Sequence, residues 1–371
     1  MFPFYLVFIL GMIYLFIDKK GKSEILLAFF FLYLALFVGL GDMIGGYDRY
    51  IYGEMFDTIA DETRSSHNYG RLLYLVNGKE FGYFAWQILV SYVTANRYIY
   101  ILITTLFIYF LYFISFRRYL ERYPFAVIIF LGLLYYFTMT YLRQVIATGI
   151  VWIAIPYIWK RKPIKFFLLV LLAYSFHNSA IIFSVMYFIP IRRYTPSTII
   201  IFIVICFLLG LTPIPQMLMA SSSTRANEYE NETQGFRIEY VLEAAFFLFI
   251  ILKNYSKTGY SKKDIVFTNM SFVFCALLLL FMRFGQGGRI TWFFFMGLIY
   301  TVQHLCYAKN IPLWLKPFVL VVLFFLFNRI TIAWAPMHAP YKTFLTNGKP
   351  NGYIYYSHEY DERYTENKFY R

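Results

Sequence analysis

Apolar runs of about 15 to 20 residues follow one another along the chain, separated by short turns rich in Lys and Arg, and a bilayer accepts runs of that length as helices. The pattern predicts spans at about 2–17, 24–41, 98–115, 124–138, 142–159, 197–211, 236–253, 264–282, 290–308 and 313–329. Lys19, Lys20 and Lys22 place the first turn in the cytoplasm, and the N-terminus outside. Residues 42–79 form a long loop with Asp42, Asp48, Glu54, Asp57, Asp61 and Glu62 against Arg49, Arg64, Arg71 and Lys79, a balance that fits the outer side.

Two regions depart from simple crossing. If the short run 80–95 crossed, the basic turn Arg117 to Arg122 would lie outside, so it reads as a re-entrant or interfacial helix on the outer face. The run 164–190 lies between Lys160-Arg161-Lys162 and Arg192-Arg193, two segments that both belong inside. A hairpin or bent pair with His177 near its outward tip satisfies both ends; one long helix with Arg192 outside is the alternative. Residues 212–235 read as a second external loop and 330–371 as an extracytoplasmic tail. The expected fold is all-α: a polytopic integral membrane bundle of about 10–13 membrane helices with long extracytoplasmic loops, and one transmembrane domain over 1–329.

Composition narrows the class. Hydrophobic residues make up 60% of the 371 and charged residues 15%, which leaves no stretch for a water-soluble domain larger than a loop. The net charge of +14 lies mostly in short turns, which is a topology signal and argues against nucleic acid as a partner. Cys206, Cys275 and Cys306 fall in or at the end of apolar runs with no CxxC pair, and read as buried free thiols. The run Phe2 to Ile17 has no basic residue before it and no small-residue cleavage site after it, so it reads as a retained helix.

The polar residues inside this apolar pattern carry the candidate chemistry. A charge at the centre of a membrane helix costs roughly 2.5–3.5 kcal/mol on insertion scales. On the expected topology Asp48, Glu80, Arg143, His177, Arg237, Arg283 and Arg289 all map to the outer side, where one cavity can hold them. Gly287, Gly288 and Arg289 open an outward-starting helix, and Arg143, beside Gln144, stands at the same place on another. Such helix starts suit a diphosphate or another polyanion. Any single arginine can instead snorkel to headgroups. Asp48, among Gly45, Gly46, Tyr47 and Tyr50, is a candidate proton acceptor or a partner of Arg49, and Glu80 has the same two readings. His177 reads as a base, a donor to substrate, or a polar residue satisfied in the bundle. No DxD, HExxH or paired ligand spacing points to a metal, and no P-loop or GxSxG is present, so neither metal nor cofactor is expected.

In order and spacing these residues resemble the EpsG-like branch of bacterial exopolysaccharide and O-antigen polymerases, the Wzy type. The resemblance rests on Gly46-Tyr47-Asp48 with Tyr52 and Phe56, Glu80-Phe81-Gly82-Tyr83, Arg143-Gln144 with Ala147, Phe176-His177 with Ser179-Ala180, and Arg289 with Trp292-Phe293, over about residues 40–300. Asn178 stands where the family often has proline, and the tail beyond Ile330 has no counterpart. The resemblance implies a GT-C-like fold in the bacterial cytoplasmic membrane. It also implies a metal-independent glycosyltransferase that joins polyprenyl-diphosphate-linked oligosaccharide repeats at the outer face, with a flippase and a chain-length regulator as possible partners. Combined with the residue inventory, it assigns Asp48, Glu80 and His177 to catalysis. Arg143, Gln144, Arg237, Arg283, Gly288, Arg289, Tyr52 and Ser179 then bind diphosphate or glycan. Two other classes stay open: a flippase or exporter of the same lipid-linked repeat, and an integral acyltransferase acting on surface glycans.

Overall fold

Polar residues at the turns start the helices. Ser23 accepts the amide of Leu26 and begins a helix at Glu24, Asn96 accepts the amides of Tyr98 and Ile99, and Ser261 and Asp264 form a reciprocal capping box. The computed structural model describes residues 1–41, 47–66, 80–215, 217, 236–284, 287–335, 341, 343 and 345. Among them the chain is helical apart from turns and one isolated bridge, Gly41 to Thr343. Two compact units share the sequence. The first comprises Met1–Ile153, Leu168–Ile181 and the chain from Lys316; the second comprises Ala154–Phe167 and Ile182–Leu315.

The helices of the N-terminal part are α1 (Phe2–Ile17), α2 (Glu24–Leu40), α3 (Tyr47–Asp61), α4 (Phe81–Ser91), α5 (Arg97–Tyr119), α6 (Tyr123–Leu133) and α7 (Leu142–Ala154). They continue through α8 (Pro156–Trp159), α9 (Pro163–Phe176), α10 (Val185–Phe188), α11 (Pro196–Gly210) and α12 (Ile238–Lys253). The last four are α13 (Lys262–Leu280), α14 (Gly287–Ile290), α15 (Phe295–Cys306) and α16 (Leu315–Ala333). Among the described residues four segments are long and apolar enough to cross a membrane: α5, Leu142–Trp159, α13 and α16. Six shorter apolar helical stretches accompany them, and together they make a polytopic helical membrane protein.

In the first unit α2 lies along α5, where a Cβ on Gly39 would meet Leu102 Cδ1 at 2.8 Å, so only glycine permits the approach. Phe31 packs edge-on against Phe116 (5.0 Å between ring centroids) and Tyr109 (6.0 Å), and Tyr112 lies on Trp152 (4.7 Å). Arg49 is buried, and its guanidinium donates to the carbonyls of Val38 (3.0 Å), Gly41 (2.9 Å) and Met139 (3.3 Å). It therefore caps the exposed carbonyls at the end of α2. Tyr341 stacks on Phe37 (4.3 Å) and donates to its carbonyl (2.7 Å); burial pushes the Tyr341 hydroxyl up to about 12.

Three features differ from the sequence pattern. The segment 42–79, read as loop, contains α3, because Tyr52, Phe56, Ile59 and Ala60 share a helical spacing that buries one face while Glu54, Met55 and Thr58 stay exposed. The span expected at 124–138 leaves α-helix after Leu133 for a 3-10 turn, Tyr135–Met139, where three consecutive rings pack: Tyr135 and Tyr136 on Phe327, and Phe137 on Trp334. A similar 3-10 turn, Thr291–Phe294, separates α14 from α15. Most of 212–235 lies outside the described residues.

In the second unit α13 is the centre, packed by α11, α12 and α15. Phe267 stacks on Tyr300 (4.3 Å) and Phe274 meets Phe295 (5.2 Å). The region 164–190 folds back on itself: Phe166 packs on Phe183 (6.0 Å) and Tyr187 (5.1 Å), and Arg161 donates to the Tyr187 carbonyl (2.9 Å). The hairpin breaks where α9 ends and a 3-10 turn, Asn178–Ser184, begins.

Candidate functional site

Arg143 lies in the first turn of α7 and reaches three groups of the first unit. Its Nη1 pairs with Glu80 Oε2, its Nε donates to the Tyr52 hydroxyl (3.1 Å), and its guanidinium lies over the Tyr52 ring at 5.2 Å from the centroid. Tyr52 is buried and is set from behind by aromatic packing. Its ring meets Tyr83 edge-on (5.5 Å), the hydroxyls of Tyr83 and Tyr100 share a hydrogen bond of 2.5 Å, and Phe56 stacks on Tyr100 at 4.2 Å. The far end of α3 is locked by Asp57, whose Oδ2 accepts from Arg97 Nε (2.9 Å) and Nη2.

Glu80 starts α4 in an unusual way. Its backbone is left-handed (φ 41°, ψ 54°), a region that costs a non-glycine residue about 1–3 kcal/mol. Its carbonyl still accepts the amides of Tyr83 (3.0 Å) and Phe84 (3.3 Å), but its side chain does not cap the helix. The carboxylate turns to Arg143 instead, and Oε1 accepts the Asn178 amide (3.4 Å). Gly82 makes this reach possible: a Cβ there would collide with Ser175 Oγ, so α4 can lie against the end of α9 only with glycine.

His177 ends α9 beside this carboxylate. Its Nδ1 lies 3.9 Å from Glu80 Oε1, too far for a hydrogen bond. The same nitrogen faces the Ser179 amide (3.3 Å) and hydroxyl (2.8 Å). A backbone amide can only donate, so Nδ1 is the acceptor in that contact. The side chains of Arg143, Glu80 and His177 keep 31%, 11% and 18% of their surface exposed, whereas those of Arg97 and Asp57 keep 3% and 2%.

Five sequence-predicted residues thus meet in one network: Tyr52, Glu80, Arg143, His177 and Ser179. Gln144 is buried next to Arg143 in α7. Asp48 lies one turn before Tyr52 on α3, partly exposed, and Arg49 beside it donates to the backbone carbonyls of Val38, Gly41 and Met139. Tyr100 and the Asp57–Arg97 lock escaped the sequence reading, and Tyr83 entered it only as part of the family motif. Their signal was there: Asp57 follows Tyr52 by five residues, and Arg97 opens the longest apolar helix.

The other predicted residues lie in the second unit around Tyr240. Arg237 starts α12, its amide donates to the Met282 carbonyl (3.3 Å), and its Nη1 donates to the Tyr240 hydroxyl (3.3 Å). A Cβ on Gly288 would meet that hydroxyl at 2.6 Å. Arg289 lies over Trp292 (5.9 Å), and exposed Arg283 donates to the Leu211 carbonyl (2.7 Å) at the end of α11. The helix that Gly288 and Arg289 open is a single turn, Gly287–Ile290, before the 3-10 segment. Among the described residues no group of three or more His, Cys, Asp or Glu stands together as a metal site. No curated protein and no solved structure matches the chain. The EpsG family matches residues 24–343, a stretch that contains both clusters, and the chain belongs to the EpsG family.

Proposed function

We propose that this protein is a polysaccharide polymerase: a glycosyltransferase that joins polyprenyl-diphosphate-linked oligosaccharide repeats at the outer face of the bacterial cytoplasmic membrane. Family membership suggests a polymerase-type role, and one observation supports the reaction. A partly exposed arginine, a carboxylate and a histidine meet at a break in a membrane hairpin.

In this reading a hydroxyl of the incoming repeat attacks the anomeric carbon of the growing chain. The new C–O bond forms as the bond to the diphosphate breaks, the hydroxyl proton passes to Glu80, and polyprenyl diphosphate leaves with its charge balanced by Arg143. Tyr52 sets the guanidinium. Ser179 holds Nδ1 of His177, so that Nε2–H is the group offered to the acceptor glycan. Gln144 supports Arg143 from within α7, and Asp48 is the alternative proton acceptor. Arg237, Gly288 and Arg289 around Tyr240, with Arg283, are proposed as a polyanion site of the second unit. The leaving group is already activated, so the reaction calls for neither nucleotide sugar nor metal. A flippase that delivers repeats and a chain-length regulator of the same pathway are proposed as partners.

The test is reconstitution in liposomes with polyprenyl-diphosphate-linked repeats and no nucleotide sugar, with lipid-linked products separated by length. A ladder that is lost in Arg143→Ala supports the polymerase. Movement of labelled repeat between leaflets without any ladder would replace it with a flippase.

A further inference from the structure

The Arg143–Glu80 pair is one the reaction must break. Arg143 is already paired with Glu80, yet the proposed chemistry asks the same guanidinium to receive a diphosphate and the same carboxylate to receive a proton. A carboxylate held by an arginine is a weaker base than a free one. Tyr52 occupies Nε and Glu80 occupies Nη1, so a diphosphate that takes the Nη1–Nη2 fork has to displace the carboxylate.

We infer that Arg143 is an exchange site with two alternative anions, the Glu80 carboxylate in the resting chain and the diphosphate of the lipid-linked donor in the loaded one. The inference rests on the polymerase reading and adds an order to it: the donor must arrive before the base is released. Three observations carry it.

The pair is open to a ligand. Arg143 keeps 31% of its side chain exposed, ten times the share kept by Arg97 in the buried pair with Asp57. Glu80 is held under strain, because its left-handed backbone is one a non-glycine residue adopts only when its surroundings impose it. The carboxylate also has a second place to rest. Its other oxygen already faces the Asn178 amide at 3.4 Å, so releasing Arg143 leaves the charge with a donor. Tyr52 keeps its hydroxyl on Arg143 Nε, which leaves the guanidinium in place while its partner changes. The consequence is protective: without a bound donor, the base stays masked and no acceptor hydroxyl is activated.

The experiment uses the full chain in lipid nanodiscs and inorganic pyrophosphate as the probe. Glu80→Gln removes the competing charge and keeps an oxygen for the Asn178 amide, so pyrophosphate should bind about tenfold tighter than to the unaltered chain. Glu54→Gln, which removes an exposed charge from α3, should change binding by less than about twofold. In the unaltered chain, pyrophosphate should raise the labelling of Glu80 by a carboxyl-directed reagent, read by mass spectrometry; this holds even if Glu80→Gln does not fold. Binding unchanged or weakened in Glu80→Gln, or labelling that pyrophosphate leaves unchanged or lowers, overturns the exchange. A ladder made by a chain that shows no exchange sinks this inference and leaves the polymerase standing. Exchange without a ladder does the reverse.

Discussion

The first unit contains two arginine–carboxylate pairs with opposite settings. Arg97 and Asp57 meet where α3 and α5 pack, both out of reach of solvent, and Asp57 presents one oxygen to two guanidinium nitrogens. Arg143 and Glu80 meet where three segments end or begin, with a tyrosine, a histidine and a backbone amide around them and part of both side chains open. The chemistry of the two pairs is the same, and their surroundings give them different work. A buried pair can only hold its elements together, because losing one partner strands the other charge. A half-open pair can change partners.

Three substitutions sharpen that contrast. Asp57→Ala should have the largest effect, about 3–5 kcal/mol, because it leaves Arg97 charged and buried. Thermal unfolding in detergent should show little or no folded protein, and a normal transition would mean that the pair is not a lock. Tyr52→Phe keeps the ring over Arg143 but removes the acceptor on Nε, so turnover per folded molecule should fall about tenfold with the melting temperature nearly unchanged. A matched loss of stability would instead assign Tyr52 to the core. Ser179→Ala should be mildest, about threefold in rate, since the Ser179 amide still faces His177 Nδ1. An inactive Ser179→Ala enzyme would make the hydroxyl itself part of the chemistry.

Much of this was legible in the amino-acid order, for physical reasons. The apolar runs had to become helices because lipid offers no partner to an open backbone. The basic segments at both ends of 164–190 pointed to a fold-back or to one long helix with Arg192 outside, and the helix ends at Phe176 with a 3-10 turn from Asn178. Glu80, Arg143 and His177 stood out because polar groups among apolar neighbours need partners. Which partners they take was not legible. Nothing local says that Glu80 would leave helical backbone to reach Arg143, or that Gly82 would admit Ser175, since both depend on how α4 meets α9. Asp48 looked as good a base as Glu80 in sequence, and only the fold pairs Glu80 with Arg143. The α3 helix was hidden by its charges: Glu54 and Asp61 face outward, but Arg49 and Asp57 are buried in contacts that no local pattern shows.

Arg143→Lys tests the account most directly. Lysine keeps the positive charge but loses the fork that holds Tyr52 while it binds Glu80 or a diphosphate in turn. The measurement is the length ladder made from polyprenyl-diphosphate-linked repeats in liposomes, per folded molecule, with the melting temperature recorded in parallel. The account predicts a rate down by about a hundredfold and a melting temperature within about 2 °C of the unaltered chain. A full ladder from Arg143→Lys would contradict it.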